Sequence, residues 1–347
     1  MSTLALTLAH EQRRSTRRLL VLLAGSVALF ASLVLDVATG PALLAPLKVL
    51  QALIGGEVDR ATAVIVHSIR LPVALMALVV GAALGLSGAI MQTVLNNPLA
   101  SSYTLGISAG AGFGAALVIV LGTALPMPET LAMPLAAFLF AGLACGAVLL
   151  IGSVKGGGAD AFVLAGIALL FLFQALLSLL QYLASPEALQ QIVFWLFGSL
   201  YKATWSKLTT VAITLGGSFP LLLRDAWALT ALRLSDERAR SLGVNVPALR
   251  LRALAMVSVL TGAAVAFVGT IGFIGLIAPH ISRFLVGEDH RFLLPGSALA
   301  GALLLSAASV AGKLISPGAL IPIGIVTATL GVPFFLLLIL RSKTRYW

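Results

Sequence analysis

Long uncharged stretches restrict the fold of this chain more than any other feature of its sequence. A helix needs roughly 20 apolar residues to cross the hydrocarbon core of a bilayer, and eight uncharged runs of comparable or greater length follow one another. Because 60% of the 347 residues are hydrophobic and only 10% are charged, too few polar side chains remain to cover a water-exposed surface. The sequence therefore predicts an all-α membrane protein with many spans, and it excludes a soluble enzyme, a secreted domain and a disordered chain. The runs are Leu19–Leu35, Leu71–Pro128, Thr130–Val154, Ala161–Pro186, Leu208–Leu223, Ala253–Ser282, Phe292–Gly312 and Leu314–Leu340.

Two of these runs are longer than one crossing requires. The run Leu71–Pro128 must contain two helices, which we place on either side of Asn96–Ser102. The run Ala253–Ser282 either crosses once or turns back near its glycines, and a turn brings the flanking arginines to one side, as the positive-inside rule favours. We therefore predict ten spans with both termini cytoplasmic, and nine or eleven if a short helix is misplaced. The glycines of this turn are Gly269, Gly272 and Gly275, and the arginines are Arg250, Arg252, Arg283 and Arg291.

The N-terminus combines basic and apolar residues in an order that is also typical of a signal peptide. Four arginines precede the run Leu19–Leu35, but this run is long for a signal peptide and lacks a clear small-x-small cleavage motif. We therefore predict an uncleaved first span, with residues 1–18 in the cytoplasm, in a single transmembrane domain over residues 1–347. The net charge of +10 indicates topology rather than nucleic-acid binding, because the basic residues stand at the ends of apolar runs.

The segment Arg224–Arg252 is the longest polar-rich stretch, and the predicted topology places it in the cytoplasm. Ser235 can cap a short helix whose first turn carries Asp236 and Glu237, which suit the positive end of the helix dipole. Gly243 suits the end of this helix, because a left-handed residue commonly terminates a helix. Such a hairpin fits a docking surface, and a solvated loop that only fixes topology fits equally well. The helix also carries Arg238 and Arg240, and Asn245 with Pro247 predicts the start of a second short helix.

The sequence contains no recognisable catalytic or nucleotide-binding motif. The pair Gly312-Lys313 lacks the upstream glycine and the following Ser or Thr of a Walker A motif. The four histidines show no metal-ligand spacing, and the single cysteine, Cys145, stands in an apolar run. Asp36 and Asp160 lie near predicted span ends, so the spans are poorly equipped for coupling to an ion gradient. A transporter energised by another subunit, or a channel, fits better.

Two breaks in long apolar helices mark the expected transport path. One is Asn96–Ala100, and the other is the glycine-rich run that ends at Ala278-Pro279-His280. Irregular backbone at membrane depth is tolerated only where it is buried or lines a cavity, and paired interruptions point to an inverted repeat around a central pathway. The residues predicted along this path are Gln92, Asn96, Asn97, Pro98, Leu99 and Gly106. Small residues predicted to pack helices together are Gly81 with Gly85, Gly106 with Gly110 and Gly114, and Gly142 with Gly146.

Several long motifs follow one another in a fixed order from about residue 60 to residue 340. In the first half they are Arg70-Leu71-Pro72, GAALGLSGAIMQ over 81–92, NPLA over 97–100 and LGISAG over 105–110. In the second half they are SLGV over 241–244, GFIGLIAPH over 272–280, DHR over 289–291 and PIGIVTATLGVP over 322–333. In these motifs the chain resembles the iron-chelate and vitamin B12 permease family of ABC importers.

The resemblance implies a fold and a set of partners. The fold is the ten-helix, inverted-repeat architecture of a type II ABC importer, in the inner membrane of a bacterium or archaeon. The chain is then not an enzyme and carries no cofactor, because ATP and Mg²⁺ belong to a cytoplasmic ATPase dimer that it binds. It pairs with a second copy or a related chain, and it receives cargo from a periplasmic or lipid-anchored substrate-binding protein.

The resemblance also implies roles for particular residues. Arg70 and Lys313 match basic positions at the outer mouth that meet acidic residues of the binding protein. Val73 stands where the vitamin B12 permease has an arginine, which argues against cobalamin without identifying the cargo. Siderophore-bound iron is the commonest cargo of the family, so it ranks first, haem second and cobalamin third. An ion-coupled carrier or a channel that acts alone is the alternative class. The residues implied in ATPase coupling are Ser235, Asp236, Glu237, Arg238, Arg240, Leu242 and Gly243.

Overall fold

The computed structural model describes residues 3–122, 127–315 and 321–341, the first nine of them by backbone alone. All regular secondary structure in these ranges is helical. A π-helical turn over Ile65–Arg70 joins α3 to α4 without interruption. The helices are α1 (Thr3–Ala38), α2 (Pro46–Leu53), α3 (Arg60–Val64), α4 (Leu71–Val94), α5 (Ile107–Leu121), α6 (Glu129–Val154), α7 (Ala159–Leu183), α8 (Pro186–Leu196), α9 (Trp205–Arg224), α10 (Ala226–Leu232), α11 (Asp236–Ser241), α12 (Val246–Val268), α13 (Ile274–Val286), α14 (His290–Ile315) and α15 (Ile323–Arg341).

The number of helices that suit a membrane crossing agrees with the sequence. In the described ranges seven helices are long and apolar enough to span, counting α3 and α4 as one, and three shorter apolar helices lie in α5, α13 and α15. At about 1.5 Å per residue, the 13 residues of α13 cover less than the roughly 30 Å of a hydrocarbon core. Both α5 and α13 follow a stretch of irregular backbone.

The long run from Ala253 turns back, as predicted. Arg250, near the start of α12, donates its Nε to the carbonyl oxygen of Val94 at the end of α4, over 3.0 Å. The two helices are therefore antiparallel. Arg283, near the end of α13, reaches Gln92 in the same last turn of α4, so α12 and α13 form a hairpin. Its turn lies between Val268 and Ile274, whereas Gly275 belongs to α13.

The two ends of the bundle differ in the charges that they carry. The arginine side holds Arg250, Arg283 and the pair of Arg18 with Asp289, whose charged atoms lie 3.7 Å apart. The opposite side holds Asp36 at the end of α1 and Lys313 at the end of α14, which form an ion pair. The break after α4 therefore lies on the arginine side and the break after α12 on the opposite side. This reversal is the relation that an inverted repeat requires.

Small residues let α4 sit at the centre of the bundle. A Cβ added at Gly81 would overlap the backbone of Gly301 in α14, and one added at Gly88 would overlap the carbonyl of Gly275 in α13. Gly110 and Gly114 of α5 approach α6 in the same way, so the packing prediction is confirmed for these helices. It is wrong for Gly142 and Gly146, because no atom of the described residues lies within 4 Å of a Cβ added at either. The prediction that Asn245 and Pro247 start a second short helix is wrong, because Asn245 caps the 23-residue α12.

Candidate functional site

The predicted helix in the polar segment is present as α11, with the predicted ends. The hydroxyl oxygen of Ser235 accepts a hydrogen bond from the backbone N–H of Arg238 over 3.2 Å. Gly243 follows the helix with a φ of +85°, which is the left-handed conformation that terminates helices. The next helix is capped by Asn245, whose side chain accepts from the N–H of Ala248. Local sequence alone is therefore sufficient to define α11.

Most of α11 faces outward on the arginine side. The residues Ser235, Glu237, Arg238 and Arg240 are exposed, and only Ala239 is buried in the helix. Leu242, which follows the helix, is 50% exposed. Exposed charges around an exposed leucine form a surface that suits contact with another protein.

Asp236 has a different role from its neighbours. Its two carboxylate oxygens accept hydrogen bonds from the Nη1 and Nη2 of Arg250 over 2.7 and 2.8 Å. Nη1 of Arg250 also donates to the carbonyl oxygen of Gly157, between α6 and α7, over 2.8 Å. Arg250 is only 3% exposed. In the sequence Arg250 indicates only topology, and nothing in its local pattern indicates these partners.

Gln92 lies inside the bundle rather than on an open surface. Its Nε2 donates to the carbonyl oxygen of Leu276 over 3.3 Å, and its Oε1 accepts from Nη1 of Arg283 over 2.5 Å. Both partners belong to α13, and Gln92 is 3% exposed. In this structure Gln92 thus joins α4 to α13, and its assignment to the transport path stays a prediction.

The break after α4 is a turn built from its own side chains. Asn96 has a φ of +44°, and Oδ1 of Asn97 accepts from the backbone N–H of Leu99 over 2.9 Å. The side chains of Asn96 and Leu99 are exposed, while Pro98 is half-buried. Gly106, the last residue before α5, has a φ of +76° and lies against the backbone of Leu170. The predicted non-helical turn is confirmed, and its place on a transport path stays a prediction.

The break after α12 is held by bonds to other segments. The N–H of Ser199 donates to the carbonyl oxygen of Val268 over 2.7 Å, and the hydroxyl of Thr270 donates to that of Leu196. The N–H of Gly324, at the start of α15, donates to the carbonyl oxygen of Phe197 over 2.9 Å. This break is therefore enclosed by the loop after α8 and by α15, as irregular backbone at membrane depth requires.

The loop between α13 and α14 fixes further charges on the arginine side. Glu288 lies 2.5 Å from Nε of Arg233, which follows α10. Burial acts to raise the pKa of the Asp289 carboxyl, but hydrogen bonds from Arg291 and the positive charges of Arg291 and Arg18 outweigh it and hold this pKa below its usual range. The loop thus ties α10 and α1 to the same end of the bundle.

The two residues predicted to dock a binding protein are not free surface charges. Arg70 donates from Nη1 to the carbonyl oxygens of Val37 and Ala38, each over 3.0 Å, and from Nη2 to that of Ala42 over 2.5 Å. Lys313 pairs with Asp36, whose Oδ1 also accepts from Ser309. Arg70 and Lys313 are each 8% exposed. Both charges bind the end of α1 in this structure, and the role of Arg70 and Lys313 in docking a binding protein stays a prediction.

Comparison with known proteins places this architecture in a family. A family model described as the FecCD transport family matches residues 28–341. The hemin transport system permease HmuU of Yersinia pestis is 43% identical over 280 residues, which cover 80% of this chain and 84% of that protein. The vitamin B12 import permease BtuC of Klebsiella pneumoniae is 37% identical over 340 residues, or 98% of each chain.

Two further comparisons agree with these. The Fe(3+)-citrate import permease YfmE of Bacillus subtilis is 36% identical over 327 residues, covering 94% of this chain and 96% of that protein. A solved structure described as an inward-facing, metal-chelate type ABC transporter matches with a TM-score of 0.84 and 33% identity, over 93% of this chain and 99% of that one.

Proposed function

The chain belongs to the FecCD transport family of ABC importer permeases, and from this premise we infer that it forms the import path for an iron chelate. It does so with a second copy of itself or a related chain. A cytoplasmic ATPase dimer supplies the energy, and an external binding protein delivers the cargo.

The ATPase docks on α11. The observation that supports this assignment is that a short, capped helix projects exposed side chains from the arginine side, while Asp236 on its inner face ties it to α12. Since basic residues favour the cytoplasmic side of membrane proteins, the arginine side faces the cytoplasm. Both chain termini then lie in the cytoplasm.

A siderophore-bound iron is the first candidate for the cargo, and haem is the second. Relatives of this chain are named for hemin, for ferric citrate and for vitamin B12. The 43% identity to the hemin permease supports haem as the second candidate. Val73, in place of an arginine of the vitamin B12 permease, ranks cobalamin third.

An ion-coupled carrier has less support. Such carriers use acidic residues inside their spans to bind the driving ion. In the described spans the buried acidic residue is Asp36, and Lys313 already pairs with it. Its carboxylate is therefore committed to a structural contact.

Uptake into proteoliposomes tests this function. The permease is purified with its ATPase and binding protein, and import of a radiolabelled ferric hydroxamate, of haemin and of cyanocobalamin is compared with and without ATP. We expect ATP-dependent import of the ferric hydroxamate. Import without ATP, driven by a proton or sodium gradient, would instead identify a secondary carrier.

Gly243→Val tests the docking surface. A Cβ at Gly243 meets no atom within 4 Å, so the cost of the substitution is conformational, about 1–2 kcal/mol for a left-handed residue. We expect the variant to insert normally and to lose its ATPase during co-purification. Gly158→Val is the matched control, because Gly158 also has open space around it but an ordinary φ.

The topology is tested by thiol labelling in a Cys145→Ala background. Ser235→Cys and Pro128→Cys lie at opposite ends of the bundle, since Pro128 directly precedes α6 on the opposite side. A membrane-impermeant reagent added outside should label only the second. Labelling of both from outside would contradict the assignment of the arginine side to the cytoplasm.

A further inference from the structure

One guanidinium connects α11 to three other parts of the bundle. Arg250 belongs to the first turns of α12, and it binds Asp236 of α11, the carbonyl of Val94 at the end of α4 and the carbonyl of Gly157 between α6 and α7. Arg250, which makes all these contacts, is only 3% exposed. The pair with Asp236 is bidentate, so it fixes direction as well as distance.

The pair with Asp236 is important for the position of α11. This helix has six residues, and a helix of that length has little stability of its own. Within it only Ala239 is buried, so apolar packing contributes little. A displacement of α11 is therefore carried to Arg250 through two charge-assisted hydrogen bonds.

The polar contacts continue from Arg250 to α13. Val94, which accepts from Arg250, lies two residues after Gln92 in the last turn of α4. Gln92 contacts α13 twice, through the carbonyl of Leu276 and through Arg283. The Asn96 turn follows this same helical turn directly. The last turn of α4 is thus bound to α11 through Arg250 and to α13 through Gln92.

We propose that Arg250 is a positioning residue that transmits movement of α11 to the last turn of α4, and through Gln92 to α13. This role rests on the proposed docking of the ATPase at α11. When the ATPase moves α11, the bidentate pair shifts Arg250, and the end of α4 moves with it. The Asn96 turn and α13 then change position together.

Lysine cannot replace arginine in this role. An ammonium group on a flexible stem has no planar fork, so it cannot bind both oxygens of Asp236 while also holding the carbonyls of Val94 and Gly157 in a fixed direction. Arg250→Lys therefore keeps the charge but weakens the link. Asp236→Asn is the complementary variant: it leaves Arg250 with both carbonyl contacts and removes only the charge pair with α11.

The chain offers a matched control two residues away. Arg252 also forms a bidentate pair, with Asp225 between α9 and α10, over 3.2 Å for each bond. Its side chain is 49% exposed, and it lies outside the α11 contacts. Arg252→Lys and Asp225→Asn should leave coupling at the wild-type level.

The experiment uses the complete complex in proteoliposomes. For each variant we measure the amount of bound ATPase, the rate of ATP hydrolysis and the cargo imported per ATP. Arg250→Lys and Asp236→Asn should keep the ATPase bound while import per ATP falls at least about fivefold, the size of a modest coupling free energy. If Arg250→Lys does not insert, Asp236→Asn alone decides the question.

A probe on α13 gives a readout that a merely structural role would not affect. An environment-sensitive fluorophore is attached at Phe284→Cys in the Cys145→Ala background, because Phe284 is 88% exposed on α13. Addition of ATP with vanadate should change its emission in the otherwise wild-type complex and in the Arg252→Lys complex. The change should be absent or much smaller with Arg250→Lys.

The outcomes separate this inference from the docking proposal. If Gly243→Val keeps the ATPase bound and transport coupled, the docking proposal is wrong. If Gly243→Val releases the ATPase but Arg250→Lys and Asp236→Asn keep wild-type import per ATP, docking stands and transmission through Arg250 is overturned. Release of the ATPase by Arg250→Lys and Asp236→Asn would also overturn it, since the pair would then serve only to build the docking surface.

Discussion

Two ion pairs, one fully buried and one partly buried, lie at opposite ends of the bundle, and they differ in what they join. Lys313 and Asp36 are 8% and 0% exposed, and they connect α14 to the end of α1, two spans that already pack along their length. In the other pair Arg250 is 3% exposed and the side chain of Asp236 is 34% exposed. This pair connects a span to a short helix outside the bundle. The first pair therefore joins two spans of the bundle, whereas the second joins the bundle to α11, the helix proposed to dock the ATPase.

The difference follows from the cost of burying charge. A buried pair contributes little net stability compared with apolar side chains, but removal of one partner leaves an uncompensated charge in a medium of low dielectric constant. With both partners enclosed, the pair on the opposite side cannot separate without that cost. Asp236 is partly in contact with water, so the other pair tolerates small displacements.

The largest expected effect is that of Lys313→Met on stability. Asp36 would keep its contact with Ser309 but lose its counter-charge, and we expect a loss of about 3–5 kcal/mol. Thermal unfolding of the purified permease in detergent measures this loss. The double variant Asp36→Leu with Lys313→Met should recover most of it, because an apolar pair of similar volume fills the same site.

This result bears directly on the contrast between the two pairs. If Lys313→Met unfolds at the wild-type temperature but abolishes docking of the binding protein, Lys313 acts at the outer surface as the family resemblance implies. The pair of Asp36 and Lys313 would then not be permanent, and it would not differ from the pair of Arg250 and Asp236 in this respect.

The sequence predicts local features of this molecule well and distant partners poorly. The cap at Ser235, the terminator at Gly243 and the turn at Asn96 depend on residues within a few positions of one another. By contrast, Asp36 and Lys313, whose side chains form an ion pair, are 277 positions apart in the sequence. An apolar period shows which face of a helix is buried, but it does not show which basic residue meets a given carboxylate.

The same reason explains why the sequence does not indicate the partners of Arg70 and Lys313. Both stand near the ends of apolar runs, where a basic residue usually projects to the interface. Here the carbonyl oxygens at the end of α1 lie within reach of Arg70, and unpaired carbonyls at a helix end favour a cation. The tertiary structure supplies these acceptors, and no pattern within residues 60–94 indicates them.

An intermediate effect is expected from Gly40→Ala, which disturbs the opposite side without removing a charge. A Cβ at Gly40 would lie 2.8 Å from the guanidinium carbon of Arg70, and that guanidinium is held by three carbonyl oxygens. Displacing it weakens hydrogen bonds of the charged type, and we expect a loss of about 1–2 kcal/mol. Gly158→Ala, with open space around it, is the control in the same unfolding assay. Equal unfolding temperatures would mean that Arg70 moves freely and that the opposite side is less rigid than proposed.

The smallest expected effect on stability is that of Arg252→Lys, because the pair that it disturbs is exposed to water. Arg252 and Asp225 also form a bidentate pair, through Nε and Nη2 of the arginine, and the side chain of Arg252 is 49% exposed. Exposed pairs contribute roughly 0.2–1 kcal/mol, and at about 1 M salt the screening length falls to about 3 Å. We therefore expect a small shift in unfolding temperature at low salt that disappears at high salt.

The drop in unfolding temperature caused by Lys313→Met should persist at both salt concentrations, because ions from solution do not reach the buried carboxylate of Asp36. If high salt instead reduces the drop in unfolding temperature equally for Arg252→Lys and Lys313→Met, solvent reaches Asp36 as readily as Asp225. Burial would then not distinguish the two pairs.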